Sequence, residues 1–139
     1  MKIIASVTFL LLSFIIWPNG AWAQVEYDEY GEAGGVFIEY RWQRESFFGR
    51  DPYALLNLKL TNRAEDHREI AFVIAFYRDD ILIFESEEQI ICLKPGESIR
   101  GGRADLRFSA EGIRMSTIEE SGFDWDFLYF EVETVPACE

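Results

Sequence analysis

Apolar and polar residues alternate along most of the chain beyond residue 35. Alternation with a period of two predicts half-buried β-strands, because successive side chains of a strand point to opposite faces of its sheet. In the first of these segments Val36, Ile38 and Trp42 share one face, while Glu39 and Arg41 lie on the other. The segments that show the pattern are 36–42, 56–60, 98–108 and 125–135.

One stretch, Ile70–Tyr77, is apolar without interruption and is bounded by charged turns. A run of this length predicts a central strand that is covered on both faces. Two shorter apolar segments follow it, at 81–84 and 89–93, and each is also expected to be a strand.

Helical signals are weak in this chain. The sequence Ser116-Thr117-Ile118-Glu119 matches a capping box, which predicts one short helical turn. The pair Gly101-Gly102 lies inside a strand-like segment and predicts a bulge or kink there.

These elements define the fold class. Seven short strands separated by turns, with at most one short helical turn, predict an all-β fold made of two antiparallel sheets, an immunoglobulin-like sandwich. A βαβ fold would need helices of about ten residues between the strands. We expect one sandwich domain over 36–139, preceded at 24–35 by a flexible acidic lead-in with no periodic pattern.

Three parts of this pattern occur in a known arrangement. They are Ile70–Tyr77, the pair Asp79-Asp80, and the turn segment Ile91-Cys-Leu-Lys-Pro-Gly-Glu97, together about a quarter of the chain. In this order they resemble immunoglobulin-like and fibronectin-III-like domains of exported bacterial proteins. The resemblance implies a sandwich fold and an exported setting, and it implies no catalytic residue. The cysteines depart from the antibody pattern, since they do not lie on the usual pair of facing strands.

The N-terminus carries the features of an export signal. A lysine at position 2 precedes an apolar run to Trp17, and Ala21 and Ala23 form a small-residue cleavage motif. The alternative is a membrane anchor, but the run is shorter than the roughly 20 residues that a bilayer requires, and Pro18 interrupts it. We therefore predict that 1–23 is a cleaved signal peptide and that the mature protein works in the periplasm or outside the cell, with no membrane span after cleavage.

The charge balance is strongly acidic. The chain has 13 Lys and Arg against 25 Asp and Glu, and loss of Lys2 with the signal leaves 12 against 25, a formal charge of −13. Such a surface repels nucleic acid and anionic lipid, because both are bound through cations that neutralise phosphate. Nucleic acid is therefore not an expected partner.

Two cysteines, Cys92 and Cys138, remain in the mature chain. An even number of cysteines in an oxidising compartment predicts a disulfide bond. Closing a ring of about 47 residues is expected to stabilise the fold by about 4 kcal/mol. The alternatives are a redox pair or a metal site, but redox pairs are usually close in sequence.

Catalytic motifs are not found. The single histidine, His67, lies in a charged segment, and no G-x-S-x-G or other nucleophile motif accompanies it. Zinc catalysis usually needs three protein ligands, and the glycine pair lacks the spacing of a phosphate loop. We predict that the protein is not an enzyme and needs no cofactor; a hydrolase that uses two carboxylates is a third-ranked alternative.

Acidic residues cluster near two turns and raise the alternative of calcium binding. Ca²⁺ prefers several clustered oxygen ligands, but the EF-hand spacing is absent. The candidate ligands are Asp79, Asp80, Asp124 and Asp126.

Aromatic and arginine side chains form a second group of candidates. Phe47 and Phe48 lie in a polar loop, and Trp125 belongs to an aromatic-rich strand. Exposed aromatic residues often mark protein or sugar contacts, although aromatic residues also fill sandwich cores. Arginines at three positions are expected on an outer sheet face, as a cluster or in cross-strand ion pairs: Arg41, Arg103 and Arg107.

These observations favour a non-catalytic interaction module of the cell envelope or the secreted space. Its partner would be another exported protein, bound through a sheet edge or through the aromatic loops. A small sugar-binding or calcium-binding protein is the alternative from another class. The sequence does not determine the oligomeric state.

Overall fold

The computed structural model describes residues 26–46, 48–103 and 105–139, without the side chain of Arg103. The predicted signal peptide and Phe47 lie outside the described residues. Within these ranges the chain forms nine strands, a 3-10 turn at Gly101–Arg103 and one α-helical turn. The elements are β1 (Asp28–Ala33), β2 (Val36–Arg44), β3 (Ala54–Asn62), β4 (His67–Arg78), β5 (Ile81–Glu85), β6 (Gln89–Leu93), β7 (Ser98–Arg100), β8 (Arg107–Phe108), α1 (Met115–Ile118) and β9 (Phe123–Val135).

The strands form two antiparallel sheets. Sheet I has the order β1-β2-β3-β7, and β8 also pairs with β3. In sheet II, β4 is the central strand; it pairs with β9 along its length and with β5 and β6 on its other side. The predicted all-β fold of two antiparallel sheets is confirmed.

The segment 98–108, predicted as one strand, is interrupted. It forms β7, then the 3-10 turn, then β8, and both strands pair with β3. The break begins at Gly101, whose φ is +61°. The kink predicted from the glycine pair is therefore confirmed, and the interruption accounts for one of the strands beyond the expected seven.

The prediction of a flexible lead-in over 24–35 is wrong for Asp28–Ala33, which form β1. This strand has no alternating apolar pattern. Five of its residues pair with residues of β2. The ring of Tyr30 lies 5.2 Å from that of Trp125 and 5.0 Å from that of Phe127, both in sheet II. Tertiary contacts of this kind hold the strand in place, and they are not visible in the local sequence.

The core lies between the sheets and consists of the inward-facing apolar side chains of both. Leu56, Leu58 and Leu60 of β3 are fully buried, as the alternating pattern predicted. Phe72 and Phe76 of β4 are fully buried against them. Val73 and Ala75, at outward positions of the same strand, are also buried, whereas Glu69 on that face is exposed. The predicted central strand is confirmed, but its outer face is only partly covered within the described residues.

The predicted disulfide bond is confirmed. Cys92 on β6 is bonded to Cys138, which follows β9, and their Cα atoms are 5.5 Å apart. The bond therefore ties the C-terminal segment to a strand on the other side of β4.

The helical turn predicted near residue 116 is α1. It begins at Met115, and the backbone N–H of Arg114 donates to Thr117 Oγ1 at 3.2 Å. Ser116, which the motif placed at the cap, instead donates its hydroxyl to Asp51 at 2.7 Å. Within the described ranges, no helix combines the length and the hydropathy needed to cross a bilayer.

Candidate functional site

The two sides of the sandwich are closed differently. On one side, Tyr30 of β1 packs against β9 and donates its hydroxyl to Asp126, which connects the two sheets. On the other side lie β5 and β6, which pair with β4 and with no further strand in the described part of the chain. Their outward backbone N–H and C=O groups therefore form an open edge, of the kind that can pair with another chain. We call Ile81–Glu85 and Gln89–Leu93 the β5–β6 edge.

The β5–β6 edge carries an unusual number of exposed apolar side chains. Ile81 is 67% exposed, Leu82 44%, Ile83 41% and Ile90 62%. Ile81, Leu82 and Ile83 follow one another in β5. The register between β4 and β5 shifts at this point, so Ile83 is an extra residue between the paired Leu82 and Phe84. Single exposed apolar residues are ordinary, but the contiguous group 81–83 on an open strand is typical of an interaction surface. Ile90 lies about 20 Å farther along the same edge, since its partner on β4 is Ala71 and that of Leu82 is Tyr77.

A groove of about 570 Å³ adjoins this edge, between β5–β6 of sheet II and the β7–β8 side of sheet I. Phe84 and Phe108 contribute apolar surface to it. Glu85 and Glu87 contribute carboxylates, and Arg107 contributes a guanidinium group. The groove is therefore amphipathic and more acidic than basic.

The outer face of sheet II is also acidic. In the register of β4, β5 and β9, acidic residues recur at the outward positions, which are Glu69, Glu85, Asp124, Asp126, Glu131 and Glu133. The Tyr129 hydroxyl donates to a carboxylate oxygen of Glu88 on this face. A ligand at the neighbouring edge would meet a negative potential.

The outer face of sheet I carries four cations in two rows, and the row of Lys59 also contains Glu39 and Glu29. Arg41 lies directly opposite Asn57, and Asn57 directly opposite Arg107. In the next row Lys59 lies opposite Arg100. We call Arg41, Lys59, Arg100 and Arg107 the basic face.

The basic face corresponds in part to the arginine cluster expected from the sequence. Arg41 and Arg107 do share one face, whereas Arg103 lies in the 3-10 turn and its side chain is outside the described residues. Sequence reasoning missed Lys59 and Arg100. The alternation of Lys59 with buried leucines was a signal for an outward position, but the pairing of the two strands was not visible.

The predicted aromatic candidates are divided by the structure. Phe48 is 89% exposed in its loop, and Phe47 lies outside the described residues. Placing Trp125 on an interaction surface was wrong, since it is only 9% exposed and belongs to the core. The reason is its register: it lies opposite the buried Phe76, and its ring lies 5.0 Å from that of Tyr40.

The loop that carries Phe48 borders a second cavity of about 320 Å³. Its polar groups are largely satisfied within the protein. The guanidinium carbon of Arg114 lies 4.6 Å from the centre of the Tyr53 ring, and Arg114 Nη1 donates to the carbonyl of Asp51 at 2.7 Å. The hydrogen bond from the Ser116 hydroxyl lowers the pKa of the Asp51 carboxyl.

The calcium candidates lie in two places. Asp79 and Asp80 form the β4–β5 turn with φ of 50° and 63°. Asp124 accepts a hydrogen bond from the backbone of Trp125, and Asp126 accepts one from the Tyr30 hydroxyl. Among the residues that the structure describes, no group of three or more His, Cys, Asp and Glu side chains is arranged to hold a metal ion.

The single histidine is at the start of β4, where it lies opposite Val135. Beside it, Arg68 Nε forms an ion pair with Asp66 at 2.8 Å. The absence of enzymatic activity stays a prediction, as does the absence of a cofactor.

Two tyrosines that contact carboxylates have perturbed ionisation. Burial and the hydrogen bond to Asp126 raise the pKa of Tyr30 from 10.0 to about 12. The hydrogen bond to Glu88 likewise raises the pKa of Tyr129 from 10.0 to about 12. A carboxylate that accepts a hydrogen bond from the phenol disfavours the phenolate, because ionisation would break the bond and place two negative charges together.

This raised pKa predicts an alkaline transition. The stability that Tyr30 contributes is fully present below pH 10 and is lost as the pH rises through about 12, because the unfolded chain ionises first. The ultraviolet phenolate absorbance of wild type and Tyr30→Phe should therefore differ by a titration centred near pH 12. Circular dichroism at each pH would establish that both remain folded. A difference curve centred near pH 10 would contradict the contact between Tyr30 and Asp126.

No protein-family model matches this chain, and comparisons with characterised proteins and with solved structures found no match. The resemblance to immunoglobulin-like domains of exported proteins therefore stays an expectation beyond the level of a two-sheet sandwich.

Proposed function

We propose that this protein is a non-catalytic interaction module that binds an extended segment of another exported protein along the β5–β6 edge. The observation that carries the proposal is the combination of an open strand edge with four exposed apolar side chains, Ile81, Leu82, Ile83 and Ile90. In natural proteins such edges are usually shortened, charged or covered, since they otherwise pair with other chains.

The open backbone edge and the exposed apolar side chains both suit the addition of a strand. The backbone groups of the edge would supply affinity through main-chain hydrogen bonds, and the apolar side chains would select alternate residues of the added strand. The adjoining groove, with Phe84 and Phe108 in its lining, has a volume of about 570 Å³, which is large enough for a side chain of the added segment.

Charge favours a different protein over a second copy. The chain is strongly acidic, and Glu85, Glu87 and Glu88 lie at or beside the edge. Self-pairing would bring these carboxylates towards those of the copy, and like charges across an interface are costly. The proposed partner is therefore an apolar segment that carries lysine or arginine.

An exported setting is part of the proposal. A disulfide bond, the predicted signal peptide and the lack of a bilayer-crossing helix among the described residues are all compatible with it. The alternatives have less support. Burial of Trp125 removes one candidate for a sugar platform, and the acidic residues form no metal-binding group in the described ranges.

A library of displayed random linear peptides tests the proposal. Peptides selected on the oxidised wild-type protein should alternate β-branched or aromatic residues with other residues and should contain lysine or arginine. Ile83→Lys should weaken their binding by about tenfold or more, because it places a charge on the apolar edge.

The matched control is Leu128→Lys, since Leu128 is 45% exposed but lies on β9 at the opposite edge of sheet II. It should leave peptide binding within about twofold of wild type, a change of roughly 0.4 kcal/mol. If the affinity of the selected peptides is unchanged by Ile83→Lys, or falls equally in both variants, the binding surface lies elsewhere.

A further inference from the structure

We infer that the outer face of sheet I binds a compact ligand with at least two oxyanion groups, and that Arg41 and Arg107 contact its oxygen atoms. Most of this site lies on the other sheet, away from the proposed peptide surface, but Arg107 also lines the groove beside the β5–β6 edge. The inference rests on the placement of four cations, on the missing ion pairs, and on the way in which Arg107 is held.

The cations form a compact array. Arg41, Asn57 and Arg107 follow one another across three neighbouring strands, and Lys59 and Arg100 occupy the adjacent row. From the usual spacing of strands, Arg41 and Arg107 have Cα atoms about 10 Å apart, and the two rows are about 7 Å apart. The side chains of paired residues point to the same face, so the four charges share one surface.

Three of these four cations form no ion pair within the described residues, although Arg107 lines one groove together with Glu85 and Glu87. Lys59 pairs with Glu39 at 3.5 Å. Among the residues that the structure describes, no ion pair includes Arg41, Arg100 or Arg107. Carboxylates outnumber cations by 25 to 13 in this chain, so pairing partners were available elsewhere on the surface. An unneutralised group of arginines costs repulsion energy, which a bound anion would relieve.

Arg107 is held in a defined orientation by a hydrogen bond. Its Nε donates to Oδ1 of the fully buried Asn57 at 2.9 Å. Asn57 is itself fixed, because its Nδ2 donates to Gln43 Oε1 at 3.3 Å.

The glycine pair contributes to the same arrangement. The Arg107 guanidinium lies against Gly101 and Gly102, and a Cβ atom at Gly102 would be 3.2 Å from Arg107 Nη1. This close approach gives a reason for the second glycine. The terminal nitrogens of Arg107 make no hydrogen bond within the described residues, so a fixed guanidinium fork remains for a ligand.

Arg41 is the second residue that we infer to contact the ligand. Its Nε is buried and has no hydrogen-bond partner among the described residues. Because solvent does not reach this atom, an anion bound at the surface would contact the terminal nitrogens of Arg41 and not Nε. The ring of Tyr27 lies 5.1 Å from the guanidinium carbon of Arg41 and 5.6 Å from Lys59 Nζ, which holds both cations together on the face.

The chemistry of the basic face limits the classes of ligand that it can bind. Arginine forks bind carboxylate and phosphate oxygens in bidentate geometry. Two forks about 10 Å apart at Cα suit two anionic groups of one small molecule better than one isolated ion. A long polyanion would extend over the acidic remainder of the surface, which carries most of the 25 carboxylates, and would be repelled.

Isothermal titration calorimetry at low ionic strength, with the oxidised mature protein, tests the inference. The probes are tripolyphosphate and citrate, with orthophosphate as the single-group comparison. We expect at least one of the first two to bind, and to bind about tenfold more tightly than orthophosphate. Binding of tripolyphosphate alone assigns phosphate ligands to the site, and binding of citrate alone assigns carboxylate ligands.

Four variants identify the site. Arg41→Gln and Arg107→Gln should each weaken binding of the effective probe by about tenfold or more. Gly102→Ala should also weaken it, by displacing Arg107, while thermal unfolding shows that the protein still folds. Arg78→Gln is the matched control, since Arg78 is an exposed arginine on sheet II that pairs with Glu120 at 3.3 Å. It should bind the probe as wild type does.

Two outcomes would overturn the inference. One is the absence of binding heat with both tripolyphosphate and citrate. The other is equal loss of binding in Arg78→Gln and in Arg41→Gln, which would indicate a general charge effect. Because Arg41 does not line the groove beside the β5–β6 edge, Arg41→Gln should keep its affinity for selected peptides. The two proposals can therefore fail separately.

Discussion

Replacing Phe72 with alanine should lower the free energy of unfolding by about 3–5 kcal/mol. Phe72 is fully buried at the centre of β4. Its ring centre lies 6.0 Å from that of Phe108 in sheet I, and 5.6 and 5.9 Å from those of Phe127 and Phe130 in sheet II. Truncation would therefore remove contacts with both sheets and leave a cavity that close-packed neighbours cannot fill.

Guanidinium chloride unfolding, followed by tryptophan fluorescence, measures this effect. A single domain has a total stability of about 5–15 kcal/mol, so Phe72→Ala should bring the protein close to unfolding at 37 °C. The control is Phe48→Ala, since Phe48 is 89% exposed and its truncation should change stability by less than about 0.5 kcal/mol. Similar changes in the two variants would mean that Phe72 does not join the sheets as described.

Removal of the disulfide bond should have a comparable effect. The double variant Cys92→Ser, Cys138→Ser is expected to lose about 4 kcal/mol, because the bond closes a ring of about 47 residues and restricts the unfolded chain. The double replacement avoids leaving one free thiol. It also releases the C-terminal segment from β6, which the bond joins to residues beyond β9.

The same unfolding measurement, with and without a thiol reductant, gives the contribution of the disulfide bond to the free energy of unfolding. Wild type in reductant should match the double variant, and the double variant should not respond to reductant. Mass spectrometry of the unreduced protein provides the independent check. Two free thiols in the native protein, or a loss below about 1 kcal/mol, would contradict the stabilising role assigned to the bond.

The two outer faces of the sandwich differ in a way that gives the proposals a common physical basis. Sheet I presents Arg41, Arg100 and Arg107 without carboxylate partners in the described ranges, whereas the outward positions of β9 in sheet II are mainly acidic. Apart from Arg107, which lines a groove with Glu85 and Glu87, the exposed charges of the two faces are farther apart than the Debye length of about 8 Å, so salt largely screens one face from the other. Each face can therefore select its own ligand.

Local patterns predicted the strands well where one face is buried. Leu56, Leu58 and Leu60 alternate with polar residues, and they line the core. The uninterrupted apolar segment around Phe72 became the central strand of sheet II. These predictions succeed because the positions of apolar residues along a strand reflect directly which of its faces is buried.

Other features depended on partners distant in sequence. β1 has no periodic pattern, and its placement depends on pairing with β2 and on contacts of Tyr30 with β9. Trp125 resembled a surface aromatic residue until its register placed it opposite Phe76. The exposure of Ile83 depends on a register shift between β4 and β5, which no local pattern specified.

The order of residues alone determined the all-β class, most of the strands and the cysteine pair, because alternation, turn residues and an even count of cysteines act through local geometry and the chemistry of the compartment. The tertiary structure decided which edge stays open, which aromatic residues reach the surface, and that Arg41, Lys59, Arg100 and Arg107 share one face. The reason is that surface sites consist of side chains from strands far apart in sequence, and only the register between those strands brings them together.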